Sequence, residues 1–362
     1  NLNDPTPLYL QISDNIKLLI SSKRLKEHDK LSSQKELAAQ YGVSLTAVKM
    51  ALAKLVQEGY LISRIGKGYY VKNGHTINIA ATQTIGLALR DLDNPFFSRI
   101  VESVERHATQ QGYHVFLKSN LNQAENKETQ IEQFRQLGVS GLIIASVSHS
   151  YHPSPIIRKI IEEKYPYIMV SYVEDPDINF VGTDHEYGGQ IAAEHFIKCG
   201  YERMGYIRGE EGNLVSELRQ IGFQKALESQ DIDLNTNYIY QLEAGEGWDS
   251  YNSGYEIGKD YCSRAERPEA IFIYNDLSAL GFQKAVLEQG LSIPGDVAII
   301  GFDGIRRGVT ANVPLTTVKQ PTDQIGRLAF DNLIKLVNGE EIVTRTVLKP
   351  ELVIRESCEE SK

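Results

Sequence analysis

The chain of 362 residues contains 41% hydrophobic and 23% charged residues and has a formal net charge of -9 at pH 7. This length is more than one ordinary hydrophobic core needs, so it predicts two or three domains. The sequence has no run of 18 apolar residues and no charged-then-apolar leader, so we expect neither a membrane span nor a secretory signal. We therefore expect a cytoplasmic protein.

The cysteines and histidines predict neither a disulfide framework nor a metal centre. Cys199, Cys262 and Cys358 are odd in number and lack CxxC spacing, which favours reduced thiols in a cytosolic protein. The histidines show no HExxH-type spacing, and His149 and His152 are the closest pair along the chain. We therefore expect no metal site and no cofactor.

Charge is distributed unevenly along the chain. Residues 1–76 contain 11 Lys/Arg and 6 Asp/Glu, a formal charge of +5, whereas the remaining residues contain 27 and 41, a charge of -14. A small basic region attached to a large acidic one predicts that only the first part binds phosphate groups.

The basic region predicts three helices followed by two short strands. Apolar residues recur at helical spacing in "PLYLQISDNIKLLISSKRL", at positions 8, 12, 16, 19 and 20. In "SSQKELAAQYGV", Ser33 and Glu36 form a capping-box pattern at the start of a second helix, and Gly42 is suited to end it. Ser44 is suited to cap a third helix.

The third helix has an apolar face and an outward face. The apolar positions are Val48, Ala51, Leu52, Leu55 and Val56, and the outward ones are Thr46, Lys49, Met50 and Lys54. Two short helices that meet at a glycine-containing turn are typical of a helix-turn-helix, whose second helix enters the DNA major groove. A three-helix module that contacts another protein is the alternative.

After Gly59, "YLISRIGKGYYV" predicts two short strands around Gly66, Lys67 and Gly68. This hairpin forms a wing that can place Lys67 and backbone N–H groups on phosphate. The glycines lack the GxxxxGK spacing and no helix follows them, so a nucleotide-binding P-loop is excluded.

Four blocks of this region, "PLYLQI", "LSSQKELAAQYGVS", "LVQEGYL" and "RIGKGYYV", resemble the GntR-type winged helix over about residues 5–72. The resemblance implies that the region binds double-stranded operator DNA. The candidate DNA-binding residues are Lys35, Ser44, Leu45, Thr46, Lys49, Arg64, Gly66, Lys67 and Gly68.

The sequence departs from this family at three positions. Ser32 replaces a usual Pro, Leu45 replaces a usual Arg, and Lys49 replaces a common second Arg. Arginine reads guanine through two hydrogen bonds, worth about 1–3 kcal/mol of discrimination, whereas leucine can only pack on a thymine methyl. We therefore expect an operator that depends less on guanine.

From Thr84 the chain alternates between apolar strands and helices. The strand-like runs are "TIGLALRD", "YHVFLKSN", "SGLIIASV", "YIMVSY", "RMGYIRG", "EAIFIYND", "VAIIGFD" and "TTVK". "FFSRIVESVERHATQQG" predicts a helix with Ile100, Val101, Val104 and Ala108 on one face. This alternation predicts two doubly wound parallel-sheet lobes, with a ligand cleft at the carboxyl ends of the strands.

Polar and aromatic residues follow several of these strands. They are Asn94, Phe96, Phe97, Asn275, Asp303 and Gln320, with Arg219 and Trp248 in helix-leading segments. Amides, carboxylates and a guanidinium can pair with several hydroxyl groups, and aromatic rings cover the C–H face of a sugar. Each residue has a structural alternative: Asn94 as a turn residue, Asp303 as a helix cap, and Trp248 as part of the core.

This part resembles the LacI/GalR repressor core, which is related to periplasmic sugar-binding proteins. "TIGLALRDLDNPFFSRIVESVE", "ELRQIGFQKAL", "IYNDLSALGFQKAV", "IPGDVAIIGFDG" and "PLTTVKQP" carry the resemblance. It implies sugar contacts at Asn94, Phe96, Phe97, Ser171, Arg219, Trp248, Asn275, Asp303 and Gln320. Ser171 and Tyr172 stand where the family often has an Asp-containing strand end, which leaves the identity of the sugar open.

These patterns together predict an α/β protein of three parts: a winged-helix domain at residues 1–72, a linker at 73–83, and an effector-binding and dimerisation domain of two lobes at 84–362. The expected function is a sugar-responsive transcriptional repressor that binds operator DNA as a homodimer. This combination of parts is found in repressors of arabinose catabolism and similar sugar pathways.

Three alternatives stand beside this hypothesis. A corepressor-type regulator has the same parts, but its DNA affinity rises when the sugar binds. Both a dimer and a tetramer are compatible with these parts. A sugar-modifying enzyme would use Asp276 and Asp303 as an acid–base pair, but the sequence lacks GxSxG, GxGxxG and metal motifs. A solute-binding protein would carry a secretory signal in place of a basic head.

Arg90 and Arg219 are suited to either a phosphorylated or a neutral sugar.

Overall fold

The computed structural model describes residues 7–21, 24–26, 28–57, 59–64, 67–72, 83–89, 94–119, 125–145, 153–170, 172–243 and 249–358. The chain divides into two compact units, Asn1–Thr82 with Arg135–Gly138, and Gln83–Phe134 with Val139–Lys362. We call the chain up to Thr82 the head and the chain from Gln83 the core. The predicted linker at 73–83 lies, except for Gln83, outside the described residues. No helix in the described ranges is long and apolar enough to cross a bilayer.

The described part of the head contains three helices and one antiparallel hairpin, in the predicted order. The elements are α1 (Leu8–Ser21), α2 (Gln34–Tyr41), α3 (Leu45–Gln57), β1 (Leu61–Arg64) and β2 (Gly68–Val71). This architecture confirms the predicted winged helix, in which the hairpin follows the second helix of the helix-turn-helix.

Local side-chain hydrogen bonds set the bounds of α2 and α3. Ser33 Oγ accepts a hydrogen bond from the Glu36 backbone N–H at 3.3 Å, and the Glu36 carboxylate accepts one from the Ser33 N–H at 2.7 Å. Gly42 ends α2 with a φ of 64°, a conformation that disfavours residues with a Cβ. Ser44 Oγ then accepts from the Ala47 N–H at 3.2 Å, which caps α3. These capping predictions are confirmed.

The head core lies between α1, α3 and the hairpin. Val48, Ala51, Leu52 and Leu55 are fully buried on one face of α3, as predicted from their spacing. Ile12 and Ile16 of α1 are buried as well, but Leu8 is 40% exposed. The helical spacing of these apolar residues indicates a face turned toward a core, and this expectation is wrong for Leu8, the first residue of the helix.

The first lobe of the core is a six-stranded parallel sheet. Its elements are β3 (Thr84–Leu89), β4 (His114–Ser119), β5 (Leu142–Ala145), β6 (Tyr167–Val170), β7 (Phe180–Thr183) and β13 (Arg345–Leu348), with helices α4 (Pro95–Gln110), α5 (Glu125–Leu137), α6 (Pro155–Glu162) and α11 (Thr322–Val337). The strand order is β13-β7-β6-β5-β3-β4. The strands β3, β5, β6 and β7 are buried along their whole length, as expected when helices cover both faces.

The second lobe repeats this architecture. Its elements are β8 (Met204–Arg208), β9 (Ile239–Gln241), β10 (Ala270–Ile273), β11 (Ala298–Asp303), β12 (Thr316–Lys319) and β14 (Glu351–Val353), with helices α7 (His185–Lys198), α8 (Leu214–Glu228), α9 (Asp249–Ser263) and α10 (Asp276–Glu288). The strand order is β14-β12-β11-β10-β8-β9, and only β14 is antiparallel to its neighbour. The predicted two-lobed α/β fold is confirmed.

The chain passes between the lobes three times. The crossings lie between β7 and α7, between β12 and α11, and between β13 and β14. The Asp184 N–H donates a hydrogen bond to the Leu348 carbonyl at 2.8 Å, which joins the first crossing to the third. These crossings place the start of α7 beside the carboxyl ends of strands in the second lobe.

Glycines bring α7 and α8 into direct backbone contact. A Cβ added to Gly189 of α7 would lie 1.9 Å from the Arg219 carbonyl oxygen, and one added to Gly222 of α8 would lie 1.8 Å from the Glu186 carbonyl oxygen. Neither distance is compatible with a side chain, so both positions require glycine at this helix separation. The contact fixes Arg219 against the first turn of α7.

We predict that Gly189→Ala lowers the free energy of unfolding by about 1–3 kcal/mol or more, because the added methyl group forces the two helices apart. The measurement is urea unfolding followed by circular dichroism. Gly308→Ala is the control, since its Cβ would lie an ordinary 3.4 Å from Leu315 and should change stability by less than about 1 kcal/mol. Equal stability of both variants and the unmodified chain would contradict the prediction.

Candidate functional sites

The head exposes one side of α3 along its first two turns. Leu45 is 39% exposed and Met50 is 49% exposed, and Thr46 and Lys49 are exposed beside them. The Ser44 side chain is engaged in capping the helix. The outward face of α3 is thus where the sequence predicts it, and its first residue is an accessible leucine.

The hairpin presents cations next to an aromatic ring. Arg64 pairs with Gly68 across the two strands, and the Lys67 N–H closes the turn by donating to the Arg64 carbonyl at 2.9 Å. The Arg64 guanidinium lies 4.9 Å from the ring centre of Tyr70, a cation–π distance that orients it. Lys67 is exposed, and so is Lys35 in the first turn of α2. Gly66 lies outside the described residues.

A second candidate site lies at the carboxyl ends of strands in the core, around Arg219. This side chain is only 4% exposed, and its Nε donates to His185 Nδ1 at 3.3 Å. Its Nη1 donates to the Tyr274 carbonyl, and the guanidinium lies 3.5 Å from the ring centre of Phe302. Its Nη2 is 3.9 Å from Asp303 Oδ1, which forms a buried ion pair.

Asp303 and Gln320 extend this cluster to the crossings between the lobes. Asp303 ends β11 with a φ of 117°, a strained conformation for a residue with a side chain. Its Oδ1 accepts a hydrogen bond from Gln320 Nε2 at 2.7 Å. Gln320 Oε1 in turn accepts one from Thr183 Oγ1 at 2.6 Å. The Gln320 side chain, at the second crossing, therefore connects Thr183 at the first crossing to Asp303 in the second lobe.

Burial controls the protonation of this cluster. Burial and the positive charge of Arg219 hold the pKa of His185 well below its usual value, so its ring is neutral and accepts from Arg219. Burial raises the pKa of Asp303 to about 6, although Arg219 and the Gln320 amide lower it in part. Asp303 is therefore mainly ionised at neutral pH and can accept hydrogen bonds from hydroxyl groups.

Asp276, the possible acid–base partner of Asp303, is used within the fold. It is fully buried, and it accepts hydrogen bonds from Thr317 Oγ1 at 2.6 Å and from the Ile305 N–H at 2.8 Å. Burial, with a further effect of the Asp303 charge, raises its pKa to about 8. These contacts hold the start of α10 against β12 and the loop after β11.

Two predicted amides cap helices. Asn275 Oδ1 accepts from the Ser278 N–H at 2.8 Å at the start of α10, and Asn94 Oδ1 accepts from the Phe96 N–H at 3.0 Å at the start of α4. Phe96 and Phe97 are 9% and 7% exposed and lie edge to face within the core of the first lobe. Asn94 thus has a structural role, but as a helix cap and not as the turn residue that the sequence offered.

The structure joins three of the predicted core residues, Arg219, Asp303 and Gln320, in one hydrogen-bonded cluster. Arg219 lies inside α8, so its predicted place in a helix-leading segment is wrong. Ser171 and Trp248 lie outside the described residues.

Sequence reasoning missed the side chains that complete the cluster: Thr183, His185, Tyr274 and Phe302. The stretch "FVGTDH" gives a usable signal for the first two, because a short apolar strand runs directly into the helix-capping Asp184.

Two protein families match this chain. Residues 8–71 match the family described as bacterial regulatory proteins, gntR family. Residues 193–358 match the periplasmic binding protein-like domain. The first match spans the winged helix, and the second spans most of the second lobe together with α11 and β13 of the first.

The chain is similar to a transcriptional repressor over nearly its full length. An arabinose metabolism transcriptional repressor from Geobacillus stearothermophilus is 29% identical, and the match covers 98% of this chain and 98% of the relative.

Two solved structures resemble the core. A LacI family regulator from Enterococcus faecium with bound ribose is 26% identical with a TM-score of 0.66 and covers 77% of this chain and 100% of its own. A dimeric Lac repressor is 25% identical with a TM-score of 0.67 and the same coverage.

We predict that Thr183→Val lowers the free energy of unfolding by about 1–3 kcal/mol, because Gln320 Oε1 loses its buried hydrogen-bond donor. Thr183→Ser is the control, since it keeps the hydroxyl group and loses only a methyl. Chemical unfolding of both variants checks the prediction. A valine variant that is as stable as the unmodified chain would contradict the prediction.

Proposed function

We propose that the effector of this chain, a ligand-responsive transcriptional repressor with a gntR-type DNA-binding head and a periplasmic-binding-protein-like core, is a monosaccharide bound between the two lobes. The observation that carries the proposal is the buried Arg219–Asp303–Gln320 cluster at the crossings between the lobes. A guanidinium, a carboxylate and an amide supply both donors and acceptors, which suits neighbouring hydroxyl groups. The ribose bound to the Enterococcus faecium regulator supports this ligand class.

The proposed sugar contacts are the nine predicted residues, of which the clustered three are the central ones. Asn94, Phe96 and Phe97 belong to the first lobe, and Asn275 belongs to the second, each in the first turn or cap of a helix. A role for Ser171 and Trp248 rests on the family resemblance. The proposed domain bounds are residues 1–72, 73–83 and 84–362.

The coupling mechanism follows from the place of Gln320. This residue accepts from Thr183 at one crossing and donates to Asp303, so a hydroxyl group that competes for Asp303 also alters the contact between crossings. Sugar binding then favours a different relative position of the lobes. DNA affinity falls only if the sugar binds the DNA-free form more tightly than the DNA-bound form.

The repressor acts on DNA as a homodimer in the cytoplasm. Two recognition helices about 34 Å apart match one turn of a palindromic operator. The likeness to a dimeric Lac repressor supports this assembly. The proposed DNA contacts are Lys35, Ser44, Leu45, Thr46, Lys49 and the wing residues Arg64, Gly66, Lys67 and Gly68.

The test is operator binding with and without sugars. An operator is first selected from a random DNA pool, and fluorescence anisotropy then measures DNA affinity in the presence of arabinose, ribose, xylose, galactose and their phosphates. We expect one sugar to lower DNA affinity at least tenfold. If none of these sugars changes the affinity, the proposal fails, and a rise in affinity would identify a corepressor.

The role of Asp303 can be tested separately, through the pH dependence of sugar binding. Its pKa of about 6 lies above that of an unperturbed aspartate, so the carboxylate that accepts sugar hydroxyl groups is lost as the pH falls below 6. Sugar affinity, measured by calorimetry, should drop about tenfold per pH unit below 6. Asp303→Asn should bind weakly at every pH, and Asp260→Asn, at an exposed site, should follow the unmodified chain.

We predict that Leu45→Arg shifts operator preference toward guanine, because the exposed first residue of α3 then offers two parallel donors. Binding-site selection with sequencing measures the preference. Gln40→Arg adds the same charge at an exposed position on α2 and should strengthen binding without changing the preferred sequence. An unchanged preference in Leu45→Arg would show that residue 45 does not contact bases.

A further inference from the structure

His195, Cys199 and Cys358 form a buried cluster in the second lobe. Their ligand atoms, one nitrogen and two sulfurs, all lie within 4.8 Å of one another. The residues are 5%, 8% and 0% exposed. His195 is ten residues along α7 from His185, a separation of about 15 Å along a helix axis. The cluster is thus distinct from the Arg219 site.

The distance between two of the ligand atoms equals the edge of a tetrahedral metal site. His195 and Cys199 are four residues apart, at the end of α7 and its cap, and therefore share one helix face. Cys199 Sγ lies 3.6 Å from His195 Nε2. With Zn–S at ~2.3 Å and Zn–N at ~2.0–2.1 Å, the edge of a tetrahedron between such ligands is about 3.6 Å.

The surroundings favour a soft divalent cation. Two thiolates and a neutral imidazole form a neutral complex with a 2+ ion, and a neutral complex can be buried among apolar residues such as Phe196 and Met204. The cluster offers no carboxylate, so its chemistry suits zinc and not calcium or magnesium.

Two further observations concern the thiols. Burial raises the pKa of Cys358, and Cys199 adds to this effect, so metal binding must displace thiol protons. His195 Nε2 is 3.3 Å from the Cys358 carbonyl oxygen, so a ligating ring exchanges this contact for the metal.

We propose that His195, Cys199 and Cys358 bind one zinc ion that ties the C-terminal end of α7 to the segment after β14. One tetrahedral position is left for a water molecule. This proposal differs from the expectation of no metal site that was drawn from the sequence. The sequence did not indicate the site because Cys358 is distant along the chain from the other two ligands, so no local spacing connects them.

Cobalt(II), which forms coloured tetrahedral thiolate complexes, is the probe. The full-length reduced chain is freed of metal with a chelator and titrated with cobalt(II) under argon. We expect a sulfur-to-cobalt charge-transfer band and visible tetrahedral bands that saturate at one equivalent. Both should vanish on addition of one equivalent of zinc. No band at stoichiometric cobalt would overturn the proposal without any variant having to fold.

Variants assign the band to these residues. Cys199→Ser and Cys358→Ser should each abolish the sulfur band or weaken cobalt binding at least tenfold, and His195→Gln should weaken it similarly. Cys262→Ser removes the third cysteine, which lies outside the cluster, and should keep the full band. A band that survives in the double variant of Cys199 and Cys358 would overturn the proposal, and so would a Cys199–Cys358 disulfide that persists in reductant.

Zinc should also raise the thermal unfolding midpoint of the unmodified chain and of Cys262→Ser, and leave that of Cys358→Ser unchanged. This readout is independent of operator and sugar binding, so failure of the metal site and failure of the proposed function are separately visible.

Discussion

The buried guanidinium of Arg219 is the interaction on which the arrangement of the second lobe depends. Removing a charge from water costs several kcal/mol unless partners compensate it. Here the partners come from separate parts of the chain: His185 at the start of α7, the Tyr274 carbonyl after β10, and Phe302 and Asp303 at the end of β11. All of these partners must be in place together to compensate the charge. The segments at the carboxyl edge of this sheet are therefore positioned by one shared interaction.

The glycine contacts between α7 and α8 make that positioning possible. Gly189 and Gly222 allow each helix to approach the backbone of the other, and the residue whose carbonyl Gly189 touches is Arg219 itself. The contact between α7 and α8 therefore fixes both the backbone of Arg219 and the helix that carries its acceptor, His185. Gln320 and Thr183 then transmit the position of these segments to the chain crossings.

Local features of the fold were predictable from the sequence, and features assembled from distant segments were not. The capping box at Ser33, the apolar face of α3 and the wing each depend on neighbours within a few residues. Most of the fully buried strands were predictable because continuous apolar runs mark them. The strands β9, β13 and β14 were not predicted, since they are short and only partly buried and so lack such a run. The buried strand β7 was not predicted either, because a glycine and a threonine make up half of its four residues.

The candidate site shows the same division. Asp303 and Gln320 were identifiable because they directly follow strands. Arg219 was identifiable by family resemblance, but its place inside α8 was not, because helix packing and not strand order brings it to the sheet edge. His185 was missed since its neutral, buried state depends on Arg219, a residue of another helix.

The crossings also determine the order in which this chain can fold during synthesis. Ile325, Ala329, Phe330 and Leu333 of α11 belong to the hydrophobic core of the first lobe, and β13 covers the otherwise open edge of β7. Both elements are translated after the strands β8 to β12 of the second lobe. An emerging first lobe therefore exposes an apolar face and an unpaired strand edge until α11 and β13 have left the ribosome, which makes it the aggregation-prone species of this protein.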